Sequence, residues 1–179
     1  MSLGTKQPVR IFTIGHSTQS ISDFIQVLQN QKLKLVVDVR TIPKSRHNPQ
    51  FGNVRLAKSL GKKEIRYIHL PGLGGLRHTS SDSINKAWRN SSFRGYADYM
   101  QTKEFENALR RLISLSKRKR LAMMCAEAVP WRCHRSLISD ALMARGIPVT
   151  DIFSKTNAKP HRMTSFAKVK KGKVTYPPI

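Results

Sequence analysis

The sequence predicts a three-layer α/β protein, with a mostly parallel central sheet of about five strands and helices on both faces. Short apolar runs alternate along the chain with segments of helical periodicity, which is the pattern of repeated β-α-β units. The segment LKLVVDVR at residues 33–40 contains a continuous apolar run that ends in charge, which is typical of a strand buried on both faces. A length of 179 residues suits one domain, which we expect to cover residues 5–154.

The first half of the chain supplies three predicted strands and two predicted helices. The strands cover residues 9–17, 33–40 and 65–75, and the third runs into a glycine-rich loop. The helices cover residues 20–31 and 51–61. Ser20 and Asp23 have the spacing of a capping box at the start of the first helix. Gly61 stands where a glycine in the left-handed conformation is expected to end the second helix.

The second half continues the alternation after a polar segment, residues 79–92, that we expect to lie on the surface. A helical stretch follows over residues 94–119, with a break near Thr102, and a helix over residues 134–145 is closed by Gly146. Two further strands cover residues 120–127 and 147–153. The remaining residues, 155–179, form a basic C-terminal extension that could make a hairpin turning at Gly172. It is either a solvated, mobile end or an arm that contacts phosphates.

Charge is the strongest indication of a partner. The formal net charge is +23, from 33 Lys and Arg against 10 Asp and Glu. Such a charge opposes compaction by self-repulsion, so we expect a polyanionic partner, with nucleic acid first and an anionic membrane surface second. No apolar run is long enough for a membrane span, and two cysteines do not make a disulfide scaffold. We therefore expect a cytoplasmic protein without a membrane role; the oligomeric state stays open.

The candidate site lies where the strands end, because ligands of open parallel sheets bind beyond the carboxyl ends of the strands. The side chains expected to do chemistry there are Asp38, Glu127, Cys125 and His16. Those expected to bind the ligand are Arg40, Arg46, Gly74, Gly75, Arg132, His134 and Arg135. The helix that begins near His134 would add unpaired N–H groups, which attract anions.

Several of these residues have a purely structural alternative. Asp38 could simply pair with Arg40 or Arg46, and His16 could satisfy a turn. Cys125 is either a packing residue or a nucleophile activated by the nearby helix N-terminus, whereas Cys133 looks like a packing residue at the helix start. Cys125, Cys133 and His134 have no second pair of ligands at zinc-finger spacing, so we expect neither a metal ion nor another cofactor.

Four segments in order, TIGHS, VVDVRTIPKSR, YIHLPGLGG and MCAEAVPWRCHR, resemble the domain of unknown function 488 family over residues 12–152. The resemblance implies a compact α/β fold and leaves the reaction open. Its motifs carry over onto His16, Asp38, Arg40, Ser45, Arg46, Gly74, Gly75, Cys125, Glu127, Cys133, His134 and Arg135.

Three functions fit these observations. The first is a nucleic-acid-binding enzyme that hydrolyses a base or phosphodiester bond, like a glycosylase or nuclease, with carboxylates as acid or base and arginines on phosphate. Trp131 or Tyr96 could stack an extruded base in that case. The second is a cysteine-dependent transferase or phosphatase, because VVDVR is similar to the strand that opens rhodanese domains. The third is a nucleic-acid-binding module without catalysis.

Overall fold

A computed structural model describes residues 8–179 and shows a six-stranded sheet with the order β3-β2-β4-β1-β5-β6. The strands of this sheet are β1 (Ile11–Gly15), β2 (Leu35–Asp38), β3 (Arg66–His69), β4 (Leu121–Cys125), β5 (Val149–Ile152) and β6 (Ala158–Pro160). Strands β1 to β5 are parallel to their neighbours, and β6 is antiparallel at the edge. The predicted α/β class with a mostly parallel sheet is confirmed.

Five helices cover the two faces of this sheet: α1 (Ile21–Asn30), α2 (Asn53–Gly61), α3 (Ser91–Tyr99), α4 (Lys103–Ser116) and α5 (Arg135–Met143). Successive strand residues point to opposite faces, so Val36 packs with α1 and α2 while Val37 packs with α3, α4 and α5. One apolar cluster lies between the sheet and the helices on each face, so the protein has three layers: helices, sheet and helices. Among the described residues, no helix has the length and apolarity needed to cross a membrane.

Local capping explains where these helices begin. The Ser20 side chain accepts the Asp23 N–H at the start of α1, as the capping-box spacing predicts. Thr102 accepts the Phe105 N–H and starts α4, which confirms the predicted break in the helical stretch. Each cap satisfies a backbone donor that the first helical turn leaves without a partner.

The end of α2 differs from the prediction. Gly61 is the last helical residue, and the left-handed residue is Glu64, with a φ of 56°. The Ile65 N–H reaches back to the Leu60 carbonyl, and the Glu64 N–H to that of Gly61, which is a Schellman ending. Leu60 and Ile65 are both buried, so their contact places the reversal three residues later than the glycine suggests.

The segment at residues 79–92, predicted as a surface excursion, is partly built into the core. Ser83 and Asn85 are buried, and both donate to Asp98 on α3. The side-chain oxygen Oδ1 of Asn85 accepts the backbone N–H of Tyr176. The polar composition of this segment predicted an exposed position. A sequence does not distinguish an exposed asparagine from a buried one that hydrogen-bonds the backbone of another segment.

The basic C-terminal extension packs onto the domain. Strand β6 comes from it and adds the sixth strand to a sheet predicted to have about five. Strands β7 (Lys168–Lys170) and β8 (Lys173–Thr175) form the predicted hairpin, whose turn residues Lys171 and Gly172 have φ values of 49° and 75°. Tyr176, directly after it, is fully buried.

We expect Gly15→Ala to destabilise the fold strongly. A Cβ at Gly15 would lie 1.7 Å from the Glu127 carbonyl oxygen, so β1 and the loop after β4 would have to separate. Overpacking of this kind lowers the free energy of unfolding by about 1–3 kcal/mol. We expect a loss at the upper end of that range, because the Cβ would collide with backbone atoms and not with a flexible side chain. Denaturant titration measures it. Gly61→Ala is the matched control: nothing lies within 4 Å of its added Cβ, and it should not destabilise the protein.

Candidate active site at the carboxyl ends of the strands

The ends of β2 and β4 enclose a crevice of about 480 Å³, which we call the strand-end crevice. The two strands are paired neighbours, with Asp38 opposite Met124, so the residues that follow them meet at one edge of the sheet. Six of the predicted site residues line this crevice, together with Cys133: Arg40, Gly75, Cys125, Glu127, Arg132 and His134. The structure therefore brings together about half of the residues that the sequence proposed.

Asp38 lies beneath the crevice and is fully buried. Its Oδ1 accepts the backbone N–H and the Nε–H of Arg40, at 3.1 and 2.9 Å. Its Oδ2 accepts from Arg40 Nη2 and from the Tyr67 hydroxyl, both at 2.6 Å. Burial, followed by this hydrogen bond, raises the pKa of Tyr67, so the phenol stays a donor. A carboxylate with four such donors has little left to offer a substrate, and we assign Asp38 to holding Arg40.

His16 is also buried and has a structural position. Its Nε2 faces Arg40 Nη1 at 3.3 Å, and its Nδ1 lies 2.8 Å from the Ser17 carbonyl. A guanidinium only donates and a carbonyl only accepts, so Nδ1 carries the proton. Burial lowers the pKa of His16 and favours this neutral form. The His16 ring stacks on Phe51, with the ring centroids 4.2 Å apart. These contacts favour the interpretation that His16 has a structural role in the turn after β1.

Arg135 is the clearest departure from the predicted site. The sequence suggested that it flanks an anion at the start of α5, but its side chain is only 1% exposed. Its guanidinium donates to the Thr13 hydroxyl at 3.1 Å and to the Glu127 carbonyl at 2.7 Å. Burial argues against the predicted ligand contact of Arg135, because the side chain turns inward and joins β1 to the loop after β4.

The glycine-rich loop and Arg46 also differ from the expected anion site. A Cβ at Gly74 would lie 2.5 Å from Thr41 Oγ1, and one at Gly75 would lie 2.5 Å from His134 Nδ1. These glycines permit close packing, and Gly75 leaves the room in which His134 sits. Arg46 is exposed and does not line the crevice. Of the predicted arginines, Arg132 is exposed within it.

The two cysteines and His134 meet at the wall of the crevice. One candidate ligand atom from each residue lies within 4.8 Å of those of the other two, and Cys133 Sγ is 3.6 Å from His134 Nδ1. Both thiols are free and buried. His134 Nε2 lies 3.0 Å from the Val39 carbonyl, so this nitrogen carries the proton and Nδ1 faces the thiols. The sequence placed these three residues in one motif, but it did not show that the loop after β4 folds back and brings their ligand atoms together.

The two thiols differ in acidity in the sense opposite to that expected. The hydrogen bond with Cys133 and then burial raise the pKa of Cys125 to about 12. Burial opposes ionisation of Cys133 as well, but the Cys125 hydrogen bond and the charge and backbone N–H of Arg135 lower its pKa to about 6. The sequence named Cys125 as the candidate nucleophile and Cys133 as packing. The structure makes Cys133 the more acidic thiol.

A second crevice, of about 730 Å³, was not found from the sequence; we call it the aromatic crevice. Trp88, Trp131 and Phe153 line it, with Lys159 and Arg162 from the C-terminal extension. The two crevices adjoin, because Trp131 lines one and Arg132 the other, and Trp88 of one stacks on Phe93 of the other at 4.8 Å. The sequence of the extension predicts a hairpin and a contact with phosphates, but it does not show that Lys159 and Arg162 line a crevice beside Trp131.

A buried polar chain forms the floor of the aromatic crevice. The two ring nitrogens of His161 lie 2.8 Å from Asp151 and 3.2 Å from Asp140. Asp151 also accepts from the Thr13 hydroxyl, and Asp140 from that of Tyr176. Burial opposes a charge on His161, but the hydrogen bonds to Asp140 and Asp151 outweigh it and raise its pKa to about 9. The imidazolium therefore links β5, α5 and the C-terminal extension.

The walls of both crevices carry positive charge. Lys44 and Arg132 line the strand-end crevice, and Lys159 and Arg162 line the aromatic crevice. All four are exposed, and none of them forms a salt bridge with any of residues 8–179. Arg40, by contrast, is neutralised by Asp38. The cations available to a ligand are thus the exposed ones, on the loops and on the edge strand β6, and not the buried Arg40.

Comparison with known proteins identifies a family but no individual relative. A family model described as "Domain of unknown function DUF488" matches residues 20–142. No curated protein and no solved structure matches the chain.

We expect the stability contributed by His161 to depend on pH. The pKa of the folded state, about 9, lies above the ordinary value of 6.5, so the contribution is complete below pH 6.5 and is lost as the pH rises through 9. At about 1.4 kcal/mol per pKa unit, the loss is on the order of 3 kcal/mol. The measurement is the difference in unfolding free energy between the parent and His161→Gln, from pH 6 to 10. A difference that stays constant would contradict the charged imidazole.

Proposed function

The chain belongs to the DUF488 family, and we propose that it binds nucleic acid and hydrolyses its target in the strand-end crevice. The observation that carries this proposal is Trp131, an exposed aromatic side chain on the ridge where two cation-lined crevices adjoin. On either side of this ridge lie aromatic and cationic side chains, which are the kinds of side chain that bind unpaired nucleotides. Bases stack on aromatic rings while cations follow the phosphates.

Trp131 has the exposure that a stacking residue needs. It is 63% exposed, and its ring centroid lies 6.0 Å from that of Phe153. A large apolar side chain that is mostly exposed gains little from the fold, and exposed aromatic surface beside two crevices is consistent with a ligand site. Tyr96, the other residue considered for stacking, is fully buried and donates to the Leu73 carbonyl, so it is not available.

The distribution of charge supports the same partner. The net charge is +23, and the four exposed cations of the two crevices, Lys44, Arg132, Lys159 and Arg162, have no internal counter-ion within the described residues. Lysine and arginine side chains that remain free in a folded protein attract polyanions over long distances and release counter-ions from them. Lys159 and Arg162 give the C-terminal extension a part in this contact.

For the reaction, Glu127 is the carboxylate that the structure favours. It is exposed and lines the strand-end crevice beside Arg132, whereas Asp38 is enclosed. A carboxylate can act as general acid or base in hydrolysis at a base or at a phosphodiester bond. The rhodanese-like alternative has less support: the loop after Cys125 contains the turn Pro130–Arg132, and its Ala126 carbonyl is engaged by the Ser17 N–H.

We also propose the cytoplasm as the compartment. Cys125 and Cys133 lie close together and remain free thiols, which is the ordinary state of cysteines in a reducing environment. A nucleic-acid substrate is consistent with this location.

The proposal is tested by incubating the protein with a panel of labelled single- and double-stranded oligonucleotides, some with damaged bases. Binding and product formation are read from the same samples. Binding with product supports an enzyme, and binding without any product supports a plain binding module. No binding at low salt overturns the proposal.

Replacement of Trp131 or Arg132 by alanine should weaken binding in two distinct ways. Loss of a stacked base costs about 1–3 kcal/mol, so Trp131→Ala should raise Kd about 5- to 150-fold at every salt concentration. Loss of a phosphate contact should lower the slope of log K against log salt by about 0.7–0.9 in Arg132→Ala. Arg55, exposed on α2 and outside both crevices, is the matched control for charge. An equal slope change in Arg55→Ala would mean that the crevice cation has no special role.

Substitution of the two carboxylates should separate catalysis from stability. Glu127→Gln removes the acid or base and should slow single turnover by about 10²–10⁴-fold with no change in Tm. Asp38→Asn leaves Arg40 buried without its charge partner and should cost about 3–5 kcal/mol of stability. Thermal melting and a single-turnover assay are run on both variants. Turnover of Glu127→Gln at the parent's rate would show that the reaction does not use this carboxylate.

A further inference from the structure

We propose that Cys125, Cys133 and His134 form a site for one zinc ion, or a transition-metal ion of similar preference, with one coordination position open to the strand-end crevice. Two thiolate sulfurs and one imidazole nitrogen are ligands that zinc accepts readily and that magnesium and calcium avoid. The proposal is independent of the nucleic-acid partner, because the metal is bound by the protein alone.

The spacing of the three groups fits a tetrahedral ion. With Zn–S of about 2.3 Å and Zn–N of about 2.0–2.1 Å, tetrahedral ligands lie about 3.5–3.6 Å apart for S···N and about 3.8 Å for S···S. Cys133 Sγ lies 3.6 Å from His134 Nδ1, and all three ligand atoms lie within 4.8 Å of one another. The separations are therefore close to those that a tetrahedral ion requires.

The surroundings orient these ligands toward a common point. A metal-binding histidine usually donates its other ring N–H to a carbonyl or carboxylate, which fixes the tautomer. His134 Nε2 lies 3.0 Å from the Val39 carbonyl and leaves Nδ1 toward the sulfurs. The backbone N–H of Arg135 donates to Cys133 Sγ at 3.4 Å, a contact that stabilises a thiolate. Gly75 keeps the space beside His134 Nδ1 free of a side chain.

Three protein ligands, and not four, determine what such a site can do. Structural zinc sites are closed by four protein ligands, whereas three leave a position for water or substrate. All three residues line the strand-end crevice, so that position faces the volume that Glu127 and Arg132 also line. The sequence has no second pair of ligands at zinc-finger spacing, which predicted that no metal binds. A site with three protein ligands and one open position does not need that second pair.

The test uses the full chain, reduced and freed of metal, titrated with Co²⁺ alone and followed by absorption. The chain has two cysteines, both in the site, so a thiolate-to-cobalt charge-transfer band reports on this site alone. We expect the band to saturate at one equivalent and Zn²⁺ to displace the cobalt. Cys133→Ser and His134→Ala should each weaken binding by more than the roughly 10–100-fold that loss of an outer partner costs.

His78→Ala is the matched control, since His78 is exposed and outside the crevice; it should bind Co²⁺ like the parent. Buried cysteine variants can lose the fold, so a second measurement uses the parent: one equivalent of Zn²⁺ should protect both thiols from alkylation. Absence of a charge-transfer band in protein whose thiols are shown to be reduced would overturn the proposal. Equal loss of affinity in His134→Ala and His78→Ala would also overturn it. None of these readouts involves nucleic acid, so the proposed function stands or falls separately.

Discussion

The buried ion pair between Asp38 and Arg40 organises the carboxyl edge of the sheet. Arg40 donates to Asp38 and to the Phe51 carbonyl, its Nη1 faces His16, and its own carbonyl lies 2.8 Å from His69 Nε2. One side chain and its backbone thus link the ends of β1, β2 and β3 with the approach to α2. A buried pair of this kind adds little net stability over apolar packing, but removal of either partner leaves a charge without compensation. Its main effect is on position, because it fixes where the neighbouring loops begin.

Arg135 has the corresponding role on the other side of the edge. Its guanidinium donates to the Thr13 hydroxyl and to the Glu127 carbonyl. From Thr13 the series of hydrogen bonds continues to Asp151 and then to His161. Two of the four arginines that were predicted to bind the ligand, Arg40 and Arg135, are therefore part of the framework. What remains for a ligand is the rim that they support, with Glu127 and the exposed cations of the two crevices. A rigid edge that carries variable loops is a common basis for a binding site.

The sequence was sufficient for the fold class because periodicity and burial agree along most of the strands. The predicted strand at residues 33–40 contains β2, and the capping residues Ser20 and Thr102 start helices where expected. It was less informative about the site, because burial of a charged side chain is set by tertiary contacts. Arg132 and Arg135 are three positions apart and identical in type, yet one is exposed and the other 1% exposed. No local pattern distinguishes them, since the inward turn of Arg135 depends on Thr13, which is distant in sequence.

The same limitation applies to the group formed by Cys125, Cys133 and His134. Cys125 ends β4, and Cys133 and His134 precede α5, so a loop of seven residues must reverse to bring them together. Contact at Gly15 allows that reversal, because the Glu127 carbonyl occupies the position of a side chain. Gly75 then leaves room for the imidazole from the opposite side. Gly15 at the end of β1 and Gly75 in the loop after β3 thus decide whether the thiols and the ring can meet, and spacing along the chain conveys neither requirement.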